Sequence, residues 1–219
     1  VSDLHPRDPG VVTFDGPAAS GKSTVAKRVA AALGVPFVSS GVLYRVATLL
    51  ATGAGVALDE ADAVLAVLDA HAVELRPGLD GDAVRVDGED VTAALHSDAV
   101  DAAVSRVAAH LQVRAWVDAR LREMPRPFVI DGRDMGSVVF PDAAHKFYLT
   151  AAPEVRAARR VGERSADLSE VAAAIRRRDA LDARQLAPAP DAQHLDTSAL
   201  DLDAVVAWVL ARLSLAAPT

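Results

Sequence analysis

The segment Gly16-Pro17-Ala18-Ala19-Ser20-Gly21-Lys22-Ser23 has the spacing G-x-x-x-x-G-K-[ST], and together with its flanks it constrains the fold more than any other part of the chain. Before it stands Val11-Val12-Thr13-Phe14, a short β-rich apolar run ending at Asp15-Gly16. After it, Val25, Val29 and Leu33 recur at helical spacing. Strand, glycine-rich loop and helix form the order in which backbone N–H groups close around a phosphate, with the positive end of the helix behind them. In that setting Lys22 reaches the terminal phosphates of a nucleoside triphosphate, and the Ser23 hydroxyl can ligate Mg2+. A Gly/Ser-rich turn that merely contains a lysine is the plainer alternative. It fits poorly with the flanking elements, in a chain whose only other lysines are Lys27 and Lys146.

The following residues extend this into an α/β pattern. Gly34 supplies a helix stop, Pro36-Phe37-Val38 reads as a second short strand, and Leu43, Val46, Leu49 and Leu50 mark another helix, so the opening is βαβ and the strands parallel. After Gly53-Ala54-Gly55 the character changes. A helix over Asp59–Ala70 leads into two alternating segments, Val73–Arg76 and Ala83–Val86, separated by Pro77-Gly78 and Gly81, which predict a hairpin. Helical periodicity returns from Ser97 to Glu123. Pro127–Ile130 and Lys146–Leu149 read as buried strands, Pro153–Arg184 as mostly helical and arginine-rich, His194-Leu195 as a short last strand, and Leu202–Leu213 as a closing helix. The expected architecture is a P-loop NTPase-type parallel β-sheet flanked by helices, with a core over 11–58 and 101–213. An insert over 59–100 carries a small antiparallel sheet, and a short helical lid occupies about 156–184.

Charge and composition narrow the function. The 219 residues carry 23 Lys+Arg against 30 Asp+Glu, a net charge of -7, which argues against wrapping nucleic acid or adhering to an anionic membrane, so any anion must be gripped locally. With no cysteine there is no thiolate metal site, disulfide framework or cysteine nucleophile, as suits a reducing compartment. No apolar run is long enough to span a bilayer, and Val1–Gly10 has no apolar signal core. The expectation is a cytoplasmic protein without a membrane partner.

The strand ending at Ile130 delivers Asp131-Gly132-Arg133-Asp134. Asp131 is placed to partner the phosphate loop, holding Mg2+ directly or through water; a helix-capping aspartate is the competing reading. Two aspartates around an arginine are denser than a cap needs, and strand C-terminal edges are where open α/β sheets bind ligands. Arginine stands at Arg45, Arg114, Arg133, Arg156, Arg159, Arg160, Arg164 and Arg176–Arg178, as phosphoryl transfer would need. In 156–184 the choice lies between a solvated helix face and a flap that brings arginine over ATP, since residues 161–167 interrupt the helical pattern.

Several ordered motifs resemble the bacterial cytidylate kinases of the nucleoside monophosphate kinase family. They are the loop at 16–23, Ser39-Ser40-Gly41-Val42-Leu43-Tyr44-Arg45, Val104-Ser105-Arg106-Val107-Ala108 with Val113-Arg114, and Asp131 to Pro141. Arg178-Asp179 with Asp182, and Asp191-Ala192 with Asp196-Thr197-Ser198, complete the set. The resemblance spans roughly 11–198. It implies that the 59–100 insert belongs to an enlarged monophosphate-binding domain. ATP would lie on Gly16, Pro17, Ala18, Ala19, Ser20, Gly21, Lys22, Ser23 and Thr24, with Arg156. CMP or dCMP would lie on Ser40, Tyr44, Arg45, Ser105, Arg114, Asp131, Arg133, Asp134, Arg178, Asp182 and Arg184. Within that set Arg45 and Arg133 would hold the acceptor phosphate, and Ser105, Arg114 and Asp134 would read the cytosine edge. Lys22, Arg133, Arg159 and Arg178 would stabilise the transferring group, and Ser23 and Asp131 would hold Mg2+. A monomer is implied.

Ser105 and Arg114 on one straight helix would face opposite ways, so if both meet the base the helix must break near Ala109–Gln112, where neither Gly nor Pro stands. The chain also departs from the family pattern, with Gln185 where an arginine is expected and Arg184 one position early. A phosphate acceptor is already an anion and needs no general base, consistent with scattered histidines that suit surface or packing roles. The competing functions are a P-loop kinase for AMP, dTMP or shikimate, for which Asp15 or Asp134 would be the candidate base of a hydroxyl acceptor, and a non-catalytic nucleotide sensor.

Overall fold

The computed structural model describes residues 10–78, 81–163, 168–182 and 185–215. In chain order the first half contains β1 (Val11–Asp15), α1 (Lys22–Leu33), β2 (Phe37–Ser39), α2 (Ser40–Gly53), α3 (Ala61–Asp69), β3 (Val73–Arg76), β4 (Ala83–Val86), β5 (Glu89–Asp90), α4 (Asp98–Ala108) and α5 (Leu111–Arg122). The second contains β6 (Phe128–Asp131), β7 (His145–Thr150), α6 (Pro153–Glu163), α7 (Leu168–Asp182), β8 (Gln193–Asp196) and α8 (Leu202–Leu215). A 3-10 turn spans Ala94–His96 and a π-turn spans Met135–Val139. The expected elements are present within a few residues of their expected ends.

β1 is wholly buried because it lies in the middle of the parallel sheet, whose order is β2-β6-β1-β7-β8. A strand covered on both faces must be apolar throughout, which explains its continuous run. Its register sets Phe14 opposite Asp131 on β6 and Asp15 opposite Tyr148 on β7, so the acidic strand ends and the phosphate loop share one edge of the sheet. Phe14 stacks on Phe147 at 5.2 Å, and the edge of that ring meets Trp208 of α8 at 6.0 Å. α1 packs against α8 and ends at Gly34, whose left-handed backbone (φ 66°) lets its N–H reach the carbonyls of Ala30 and Ala31.

The chain divides into two compact units, one holding residues up to Pro36 and from Pro125 onward, the other Phe37–Met124. Within the second, α2 lies against α3, α4 and α5, and β3, β4 and β5 form a separate antiparallel sheet. Val42, Val46, Val84, Val86 and Leu95 form its buried cluster, with Leu49, Leu50, Val73, Leu75 and Val91 packed against it. The β3–β4 hairpin is as expected, pairing Val73 with Val86 and Arg76 with Ala83. β5 was not expected. Its turn is Asp87-Gly88, both with positive φ (52° and 86°), as a type I′ hairpin turn requires.

Among the described residues no helix is long and apolar enough to cross a membrane.

Candidate active site

The phosphate loop is built by backbone constraint. A Cβ on Gly16, at φ +143°, would stand 2.1 Å from the Leu149 carbonyl oxygen, so only glycine fits there. Gly21 caps α1 at φ 89°, and Ala19 between them is left-handed at φ 59° without being glycine. The Ser20 side chain is buried with its Oγ unpartnered, a polar group in the loop available to an anion.

Four cations hold the loop's carbonyls. Arg133 Nη1 donates to Gly16 O at 3.0 Å, Lys22 Nζ to Pro17 O at 3.2 Å, Arg156 Nη1 to Ala18 O at 3.1 Å and Arg159 Nη1 to Ser20 O at 3.3 Å. A cation on a carbonyl polarises that peptide group and makes its N–H a better donor on the other side. For Pro17, Ala18 and Ser20 those N–H groups belong to Ala18, Ala19 and Gly21, inside the loop. The arginines are themselves fixed. Arg156 pairs with Asp179 on α7 at 2.7 Å and donates to Ala151 O, while Arg159 donates to the Thr197 hydroxyl at 3.0 Å and carbonyl at 2.8 Å. Thr197, 2% exposed, lies with its hydroxyl 3.0 Å from Thr150 O and 3.2 Å from Ser20 O.

Ser23, at the start of α1, donates its hydroxyl to Asp131 Oδ2, while Asp131 Oδ1 is buried and unpartnered. A hydroxyl beside a buried carboxylate is a hard oxygen donor set that fits Mg2+, which keeps several waters and takes its other ligands from phosphates. Among the described residues no group of three or more His, Cys, Asp or Glu is placed to hold a metal ion.

Asp15 takes a different part from the base considered above. Its two oxygens accept from the backbone N–H groups of Met135 at 2.8 Å and Gly136 at 2.7 Å, pinning the π-turn that follows Asp134. Burial pushes its carboxyl up to about 6, against the lowering effect of those two N–H donors. Both oxygens face backbone donors, so the geometry gives Asp15 to the turn. Lys146 is likewise committed: buried, it donates to both oxygens of Asp191 at 2.9 and 2.8 Å and to the Pro141 carbonyl.

In the other unit, Ser40 opens α2 and is buried, and Tyr44 one turn later lies under the Arg114 guanidinium at 5.6 Å. Arg45 donates to Leu95 O at 2.8 Å and pairs with Asp101 at 2.6 Å. Ser105 sits on α4 and Arg114 on α5, and the helix between them breaks at Ala109-His110, as their expected shared task required. Arg178 and Asp182 lie along α7 with side chains outside the described residues, where Arg164 and Arg184 also fall.

The model of the family described as cytidylate kinase matches residues 12–214. The chain belongs to the cytidylate kinase family. A cytidylate kinase of Thermus thermophilus is 57% identical over 93% of this chain and 98% of its own length, and one from Deinococcus radiodurans is 53% identical over the same shares. Among solved structures, a gluconokinase from Sinorhizobium meliloti covers 96% of the chain and 95% of its own with a TM-score of 0.52 at 17% identity. That likeness speaks for the kinase fold alone. Within the cytidylate kinase family frame, Asp179, Thr197, Asp101 and Asp15 are the residues whose work sequence reasoning missed. The first two stood in recognised motifs, whereas Asp101 carried no signal beyond its place on a helix with Ser105.

Proposed function

We propose that this chain transfers the γ-phosphoryl group of ATP to CMP and dCMP, giving ADP with CDP or dCDP, as a cytoplasmic monomer. One observation carries this assignment: the phosphate loop with its Ser23–Asp131 pair lies in a chain matched to cytidylate kinase over residues 12–214.

The loop from Gly16 to Thr24 cradles the ATP phosphates through its N–H groups, sharpened by the cations on its carbonyls. Lys22 turns from Pro17 O to the terminal phosphates. Arg45 and Arg133 bind the acceptor phosphate, and Arg178 with Asp182 and Arg184 complete its surroundings. Ser40 and Tyr44 line the acceptor. Cytosine offers an amino donor and the acceptors N3 and O2, which Asp134, Ser105 and Arg114 can pair. Leaving such a group unpaired for the wrong base costs on the order of 1–3 kcal/mol. Ser23 and Asp131 would hold Mg2+, which would neutralise charge on the triphosphate. An oxygen of the CMP phosphate forms the new bond to the γ-phosphorus while the bond to the β–γ bridging oxygen breaks, and ADP leaves. No proton has to be removed first. Arg159, and Arg156 behind it, keep the loop's dipoles aimed as charge spreads over the transferring group.

Coupled ADP release measured across CMP, dCMP, UMP, AMP, dTMP and shikimate tests this. The expected result is preference for the cytosine nucleotides without a partner protein. Preference for any other acceptor would overturn the assignment, and absence of turnover would favour a nucleotide sensor.

A further inference from the structure

Ser105 and Arg114 are nine positions apart, so a straight helix would set them on opposite faces. The chain breaks the helix between them without glycine or proline, and the structure shows what replaces those residues. His110 is extended (φ -76°, ψ 122°) as the cap of α5, and its carbonyl accepts the N–H of Arg114 at 3.0 Å, the opening hydrogen bond of that helix. Its ring Nε2 lies 2.8 Å from the Leu58 carbonyl, which can only accept, so that nitrogen carries the proton. One residue along, the Asp59 carboxylate takes both Nε (3.1 Å) and Nη2 of Arg106, the neighbour of Ser105. Residues 58 and 59 thus grip the last turn of α4 and the first residue before α5. Leu111, by contrast, is 73% exposed and contributes little to holding the break.

We infer that His110 is a positioning residue for base selection: its ring, bonded to Leu58 O, holds the α4–α5 break that lets Ser105 and Arg114 address one base. This rests on the proposed assignment of those two residues to cytosine. Without the ring, Ala109 and position 110 can join the helices on either side, and Arg114 turns away from Ser105 by the angle of the closed gap.

The test compares kcat/KM for CMP and for UMP in wild type, His110→Ala, His110→Gln and the double variant His110→Ala with Leu111→Pro. His110→Ala should lower kcat/KM for CMP about tenfold, through KM, with little change for UMP or for the KM of ATP. His110→Gln, which keeps a donor for Leu58 O, should retain most of the selectivity. Proline at position 111 should restore it to His110→Ala. It would occupy the first helical position, where a missing N–H is tolerated, and would force residue 110 to stay extended. Asp59→Asn should move selectivity in the same direction by a smaller factor, and it gives a second readout should His110→Ala fold poorly. A His110→Ala enzyme with the wild-type CMP/UMP ratio would overturn the role of His110 and leave the kinase assignment standing. So would an equal loss for both nucleotides that proline fails to repair. A wild type without preference for CMP over UMP would overturn both.

Discussion

The cations around the phosphate loop and those of the unit from Phe37 to Met124 are held differently. Around the phosphate loop, Arg133, Lys22, Arg156 and Arg159 are attached to main-chain carbonyls, which stay where the fold puts them, and Arg156 lies on the Asp179 carboxylate as well. In the unit from Phe37 to Met124, Arg45 keeps one carbonyl, that of Leu95, but its other arm lies on Asp101; Arg106 lies on Asp59, and Arg114 on the ring of Tyr44. A carboxylate presents to arginine the same planar pair of oxygens that a phosphate does. Under the proposed function the first arrangement is a fixed template, whereas in the second an incoming monophosphate can take the place of Asp101 on Arg45, and Asp59 on Arg106 stays with the α4–α5 break. Phosphate is common to every triphosphate donor, so a template suffices there; a monophosphate has to be told from its relatives by its base.

The largest effect that sharpens this contrast is expected from Lys22→Met. It should lower kcat by roughly 10²–10³-fold and move the KM for CMP little, because the lost cation acts on the transferring group. Steady-state kinetics with either substrate varied would show it, and full CMP-dependent ADP release would break the comparison at its strongest point. Arg45→Ala should follow, raising the KM for CMP by about ten- to a hundredfold with the KM for ATP unchanged, since a charge-assisted grip on the acceptor is removed. Were the KM for ATP to rise as much, the division of labour between the two units would fail.

The smallest expected effect concerns pH. The Asp15 carboxyl titrates near 6 in the folded chain against 3.8 for the free side chain, so the folded state holds that proton more tightly. The resulting stabilisation is complete below about pH 4 and is lost as pH climbs through 6, by up to about 3 kcal/mol. Denaturant unfolding between pH 4 and 7 should therefore show a steeper fall for wild type than for Asp15→Asn, which cannot titrate. Parallel curves would show that the buried carboxyl is not perturbed.

How much of this could be read beforehand depended on whether the signal was local. The phosphate loop was legible because glycine spacing, a strand and a helix are all written within one stretch, and the β3–β4 hairpin because alternation and its turn residues agree. The Asp87-Gly88 turn is equally local, but Glu89-Asp90 after it has no apolar face to mark a strand. The π-turn at 135–139 had no such signal: it exists because Asp15, far away in sequence, accepts the N–H groups of Met135 and Gly136. The same holds for the acceptor residues. Ser105 and Arg114 could be assigned only by resemblance, and the break between them depends on Leu58 and Asp59, which no periodicity connects to it.

The strand order has a consequence for how the molecule comes into being. β1 leaves the ribosome well before its two neighbours, β6 and β7, with Val11 opposite Phe128 and Val12 opposite His145. Closing loops of that length precedes any reward from pairing, so sheet formation is slow and of high contact order. A nascent chain that has emerged only as far as Met124 still exposes the apolar strand Val11–Phe14 without either partner, while the buried cluster of Val42, Val46, Val84, Val86 and Leu95 is already complete in it. The motif most easily recognised in the sequence is thus among the last to acquire its shape, and a stalled or truncated product would present a bare β1 to chaperones and to other copies of itself.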